Sequence, residues 1–148
     1  MHKTILKVNK RDKNGDYPLL LAFKKHNYYS YSADILHILM AYADENNIIL
    51  ELNKRNKNGD YPLLKAVEDN NHDVIPLLLD YANNNNIILK FKHTNEKGYP
   101  PLSKTLGYWY MDDQIRYTQL LLAYADQNNI VINLNEKDES GLTFTFIC

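Results

Sequence analysis

The nine residues from Asp12 to Leu20 return almost unchanged from Asn56 to Leu64, and in both places an alanine, Ala22 or Ala66, stands two positions further on. Degraded copies surround Gly98 and Gly141. A chain built from copies of one unit faces a strict constraint. One unit of this size cannot bury its own apolar face, so the copies must stack side by side over a continuous core. The expected architecture is an elongated array, not a globule closed around a central pocket.

The repeated glycines at 15, 59, 98 and 141 set spacings of 44, 39 and 43 residues. Pro-Leu or a variant follows each, as in Pro18-Leu19 and Pro62-Leu63. Proline suits the first position of a helix, where its missing N–H would have been unpaired anyway. A helix is therefore predicted at each copy. In the second copy it covers Pro62 to Asp69 and breaks at Asn70-Asn71-His72. A second helix then runs from Val74 to Ala82, with Asp73 as its cap and Pro76 tolerated in its first turn.

The second helices align as Ile38 to Ala43, Leu77 to Ala82 and Leu120 to Ala125, with Tyr42, Tyr81 and Tyr124 at one recurring position that reads as core. Asparagines cluster beyond them, at Asn46-Asn47, Asn83 to Asn86 and Asn128-Asn129. Asparagine adopts the left-handed conformation that ends a helix at less cost than other residues with a side chain. Short alternating runs follow: Ile48, Leu50 and Leu52; Ile87, Leu89 and Phe91; Ile130, Ile132 and Leu134. These predict short strands with one buried side, so each unit reads turn, helix, helix, strand.

A unit of this kind resembles the ankyrin repeat, a turn and two antiparallel helices with a T-P-L-H-x-A signature over about 33 residues. The residues that carry the resemblance are Leu52-Asn53, Asn56, Gly59, Pro62-Leu63, Ala66 and Leu77 to Leu79 in one copy, and Val8-Asn9, Asp12, Gly15, Pro18-Leu19 and Ala22 in another. The third copy, with Gly98, Pro101-Leu102 and Leu120 to Leu122, is looser. The resemblance implies a mainly α fold, a helix-turn-helix solenoid with short strands or hairpin turns between repeats. It spans residues 1–148 as one array: a partial unit at 1–9, repeats at about 10–53, 54–92 and 93–135, and a partial unit from about 136.

Departures from the signature are localised. Tyr17 and Tyr61 replace its threonine, so the threonine's hydrogen bond near the turn is lost or made differently, and Leu20 and Leu64 replace its histidine. Between the triple leucine and the V-N position the chain has the eleven residues Asp80 to Lys90, where the family has about five. Further residues between the paired helices lengthen the first and third repeats. Both ends of the sequence fall inside a unit without a polar cap, which leads us to expect either a piece of a longer array or self-association through open ends.

Bulk properties exclude several classes. Lys and Arg total 17 against 18 Asp and Glu, for a formal charge of -1, which provides no field of its own for nucleic acid or membrane. The single cysteine, Cys148, allows no disulfide within the chain. No apolar run approaches bilayer-spanning length and the amino terminus lacks a signal peptide's apolar stretch, so a soluble intracellular protein of the cytoplasm is expected. The histidines His2, His26, His37, His72 and His93 follow no metal-site spacing, and no nucleophile, phosphate-loop or dinucleotide motif occurs. Asp34, Asp73 and Asp112-Asp113 read as helix N-caps, not as an acid/base pair. Neither enzymatic activity nor a cofactor is predicted.

Function then rests on what the copies do not share. Tyr28, Tyr29 and Tyr31 fall in the longer helix-helix connection of repeat one, and Tyr108, Trp109 and Tyr110 in that of repeat three. Tyrosine and tryptophan give large contact area at low entropic cost, which makes these six candidate anchors for a partner protein. The plainer reading is that they cover their own loops. The turn tips bear Lys10 and Arg11, then Lys54 and Arg55, which the resemblance places beside a concave binding surface. Asp12, Asp16, Asp60 and Glu96 dilute them, so a solvated face is the simpler reading and nucleic-acid binding the weaker one.

Overall fold

The computed structural model describes residues 4–24, 31–69, 71, 73–91 and 112–132. Five helices occur in this part of the chain: α1 (Pro18–Leu21), α2 (Ser32–Glu45), α3 (Pro62–Glu68), α4 (Val74–Asn84) and α5 (Asp112–Gln127). The short first helix α1 packs on α3, and the long second helices stack in the order α2, α4, α5. This is the predicted array of helix pairs. One apolar core runs through it from Val8 in the first tail to Leu121 and Tyr124 in α5.

The turn is the same object in both copies. Asp12 Oδ1 accepts the N–H of Asn14 and of Asp16, at 2.8 and 2.9 Å, and Asn56 Oδ1 accepts those of Asn58 and Asp60, at 3.0 and 2.9 Å. Gly15 and Gly59 have φ of 79° and 80°, a conformation that costs glycine nothing and any other residue strain. At Gly15 the absence of a side chain serves a second purpose. A Cβ there would lie 3.2 Å from Asn56 Cα, so the glycine also lets the next turn approach. The two turns are joined by the Asn56 side-chain amide, whose Nδ2 donates to Asp16 Oδ1 at 2.8 Å, and by the Lys57 N–H, which donates to the Asn14 carbonyl at 2.9 Å.

Each second helix ends on two asparagines with separate tasks. The first turns its side chain back, so that Asn46, Asn85 and Asn128 donate to the carbonyls of Tyr42, Tyr81 and Tyr124 at 2.7, 2.9 and 2.9 Å. The second takes the left-handed conformation: Asn47, Asn86 and Asn129 have φ of 53°, 54° and 53°. The following isoleucine N–H of Ile48, Ile87 and Ile130 then reaches the alanine carbonyl five residues back at 2.8 Å, which completes a Schellman motif.

The tails beyond these ends correct one expectation. No strand occurs among the described residues, although the side chains alternate as predicted, with Leu50, Leu52, Leu89 and Phe91 buried and Ile49 and Ile88 exposed. Asparagine side chains do the pairing instead of a backbone ladder. Asn9 Nδ2 donates to the Ile49 carbonyl at 2.8 Å while its Oδ1 accepts the Glu51 N–H at 3.2 Å. Asn53 repeats this grip on the Ile88 carbonyl and the Lys90 N–H, at 2.8 and 3.0 Å. One edge of a primary amide presents an N–H and a carbonyl oxygen side by side, so it substitutes for a neighbouring strand.

The predicted aspartate caps are a second correction. Asp34 lies inside the first turn of α2, where its charge favours the positive end of the helix dipole, and Asp73 precedes α4 without a side-chain cap bond. Asp112 opens α5 itself. At α2 the hydroxyl near the start belongs to the buried Ser32, which donates to the Ala22 carbonyl at 2.8 Å and so ties the second helix to the end of the first.

Candidate interaction groove

Stacked turns and first helices enclose a groove of about 670 Å³. It is lined by Asn14 and Asp16 of one turn, Asn56, Lys57, Asn58 and Asp60 of the next, Leu20, Phe23 and Lys24, Lys65 of α3, and Asp69 just beyond the end of α3. The backbone that carries these groups is fixed by the Asx hydrogen bonds and glycine conformations just described. Side chains that point into the groove are therefore presented from a surface already ordered, which reduces the entropy lost when something binds.

The lining balances three lysines against three aspartates. Lys24 Nζ lies 3.3 Å from Asp16 Oδ2, a contact between an exposed ammonium and a buried carboxylate that also accepts from Asn56. Lys65 Nζ stands 3.4 Å from Glu68 in its own helix and 3.9 Å from Asp69 at the end of that helix. Lys57 is exposed at the tip. A lining of this kind offers donors and acceptors to a mixed-charge polypeptide and no net attraction to a polyanion.

Two of the tyrosines that follow the turns are buried. Tyr17 and Tyr61 sit where the helices α1 and α3 begin and are almost wholly buried. The Tyr17 hydroxyl is 2.8 Å from the Glu51 carbonyl in the tail of its own repeat and 2.9 Å from that of Lys54 at the start of the next, so in place of a local threonine bond it bonds far along the chain at the junction of the two units. Burial pushes both phenols far above the ordinary tyrosine range, a shift that Arg11 and Arg55 respectively oppose. The recurring tyrosines of the second helices act likewise. Tyr42, Tyr81 and Tyr124 accept the N–H groups of Leu6, Leu50 and Leu89 in the preceding tails, at 2.8, 3.1 and 3.4 Å. Desolvation raises the last two above the ordinary tyrosine value as well.

The residues predicted from sequence fall into three groups. Tyr28, Tyr29, Tyr108, Trp109 and Tyr110 lie outside the described residues, as does His72. Tyr31 is 59% exposed at the start of α2. Lys10, Arg11, Lys54 and Arg55 are exposed at the tips but do not line the groove. Arg11 is held by the scaffold: its guanidinium stands 5.6 Å from the Tyr17 ring centre and donates to the Arg55 carbonyl at 3.2 Å. Arg55 Nε in turn reaches the Gly59 carbonyl at 3.3 Å.

The groove residues not singled out from sequence include Phe23, Lys24, Lys65 and Asp69. Lys65 had a readable signal, since it is the one charged residue in the otherwise apolar run from Pro62 to Val67. Among the described residues no group of three His, Cys, Asp or Glu could hold a metal ion, and no helix is long and apolar enough to cross a membrane.

Turns joined edge to edge, two rows of stacked helices and a groove along the turn side define an ankyrin-type fold. A solved structure bears this out. The crystal structure of EF0377, an ankyrin repeat protein, is similar to this chain at a TM-score of 0.62 and 21% identity, over 93% of this chain and 59% of that one. This chain thus spans somewhat more than half the length of that neighbour. No family model matches the sequence, and no curated protein matches it either.

Proposed function

We propose that this chain is a protein-recognition module, an adaptor or scaffold element that seats a segment of a partner protein in the groove between the turn tips and the first helices. One observation carries the reading: an open groove with a balanced polar lining, built on turns whose backbone is already fixed. Arrays of this kind generally use their extended concave surface for binding. The aromatic residues Tyr28, Tyr29, Tyr31, Tyr108, Trp109 and Tyr110 would add anchors for the same partner.

Affinity capture with the whole chain, followed by quantitative binding of the captured partner, tests this. Lys57→Glu should weaken the interaction about tenfold or more while the melting temperature holds, and Lys24→Gln should weaken it at little cost in stability, because Asp16 keeps its bond from Asn56. Tyr29→Ala and Trp109→Ala should weaken it with the same control. A partner indifferent to both groove substitutions would show that the groove is not the binding surface.

A further inference from the structure

Ile5, Ile49, Ile88 and Val131 occupy one position in four successive tails and are 54%, 54%, 59% and 74% exposed. Their spacings of 44, 39 and 43 residues are those of the turn glycines, so they recur once per unit. Single exposed aliphatic residues are ordinary on a protein surface. The same position left apolar in four consecutive units is a strip. Where the tails are described around it, Leu50, Leu52, Leu89 and Phe91 are buried, so the strip stands on the solvent side. Two positions beyond Ile5, Ile49 and Ile88, on that same side of an extended chain, come Lys7, Glu51 and Lys90. Neither Glu51 nor Lys90 takes part in an ion pair found among the described residues.

We infer that this strip is the interface for a second copy of the chain, related by a two-fold axis that passes between the second and third tails. In that arrangement Ile49 meets Ile88 of the other copy, and Ile5 meets Val131. Glu51 stands opposite Lys90, and symmetry makes the pair twice. A parallel arrangement in register would instead oppose Lys7 to Lys7, Glu51 to Glu51 and Lys90 to Lys90, and like charges reject it. The aliphatic strip supplies the affinity and the charges choose the orientation. None of the four aliphatic residues lines the groove, so the inference does not rest on the groove's role.

Sedimentation velocity of the full chain over a wide concentration range tests it. A monomer–dimer equilibrium is expected, lost in Ile88→Asp. Glu51→Lys and Lys90→Glu should each weaken the dimer about tenfold or more, and the two together should restore it, because the pair is then reversed. None of the three side chains is buried, so in solutions dilute enough that the unaltered chain is itself monomeric, thermal melting should be the same in every variant. Four results would overturn the inference: a monomer at all concentrations, oligomers that persist in Ile88→Asp, an open-ended series of sizes, or no rescue in the charge-reversed double variant.

Discussion

The hydroxyl of Tyr17 lies 2.8 Å from the carbonyl oxygen of Glu51, thirty-four residues along the chain and in the next tail. A residue at the start of one helix thereby secures the approach to the following turn. Replacing Tyr17 with Phe keeps the buried ring and removes the donor, leaving the Glu51 and Lys54 carbonyls short of a partner. The expected loss is about 1–2 kcal/mol, read from urea unfolding as a lower midpoint with an unchanged slope.

The same burial sets an upper pH limit on the fold. Tyr17 and Tyr61 are both raised in the folded state by desolvation, whereas in the unfolded chain they ionise near the ordinary tyrosine value of 10.0. Above that pH the unfolded state has released protons that the folded state still holds, so stability falls as pH rises. Each such tyrosine contributes about 1.4 kcal/mol per pH unit to the decline. Below it the contribution is complete. Stability measured between neutral pH and pH 11 should drop steeply only at the alkaline end, and Tyr17→Phe or Tyr61→Phe should make that drop shallower.

At the turns, Asn56 occupies the place that Asp12 holds in the preceding copy, and its Nδ2 donates to Asp16. The variant Asn56→Asp keeps the acceptor that shapes the turn but sets a carboxylate against the buried Asp16 carboxylate. A loss of about 1–3 kcal/mol at neutral pH is expected. Chemical unfolding of both proteins at neutral pH measures the difference.

In the tails, Asn53→Ala removes two hydrogen bonds to the next tail at once. The Lys90 N–H, which donates to Asn53 Oδ1, should then exchange with solvent markedly faster, while the Glu51 N–H, which donates to Asn9, keeps its rate. Native-state hydrogen exchange followed by residue resolves the two. Equal acceleration at both positions would show that the tails are not coupled one joint at a time.

Much of this fold was legible because the repeat supplied its own frame. Gly15 and Gly59 marked the turns, Pro18 and Pro62 the helix starts, and the last asparagine of each cluster the left-handed residue after the helix. What sequence could not show was who pairs with whom. Alternation from Ile48 to Leu52 gives the buried side correctly, but the partner of that backbone is the Asn9 side chain forty residues earlier, and burial periodicity contains no information about it. The groove was hidden for a similar reason. Arg11 and Arg55 looked available as charges at the tips, yet their guanidinium groups reach neighbouring carbonyls, whereas Lys24 and Lys65 reach the groove only because consecutive units stack.

The Asn9 and Asn53 amides grip main-chain atoms only. A coupling of that kind is indifferent to the side chains on the receiving side, so a tail accepts any successor that offers a carbonyl and an N–H two residues apart. The unit following a joint is then free to diverge in its charges, loop lengths and aromatic content without loosening the joint. Vocabulary and grammar are separated in such a chain: the asparagines keep the order of units intact while everything presented to the outside can be rewritten.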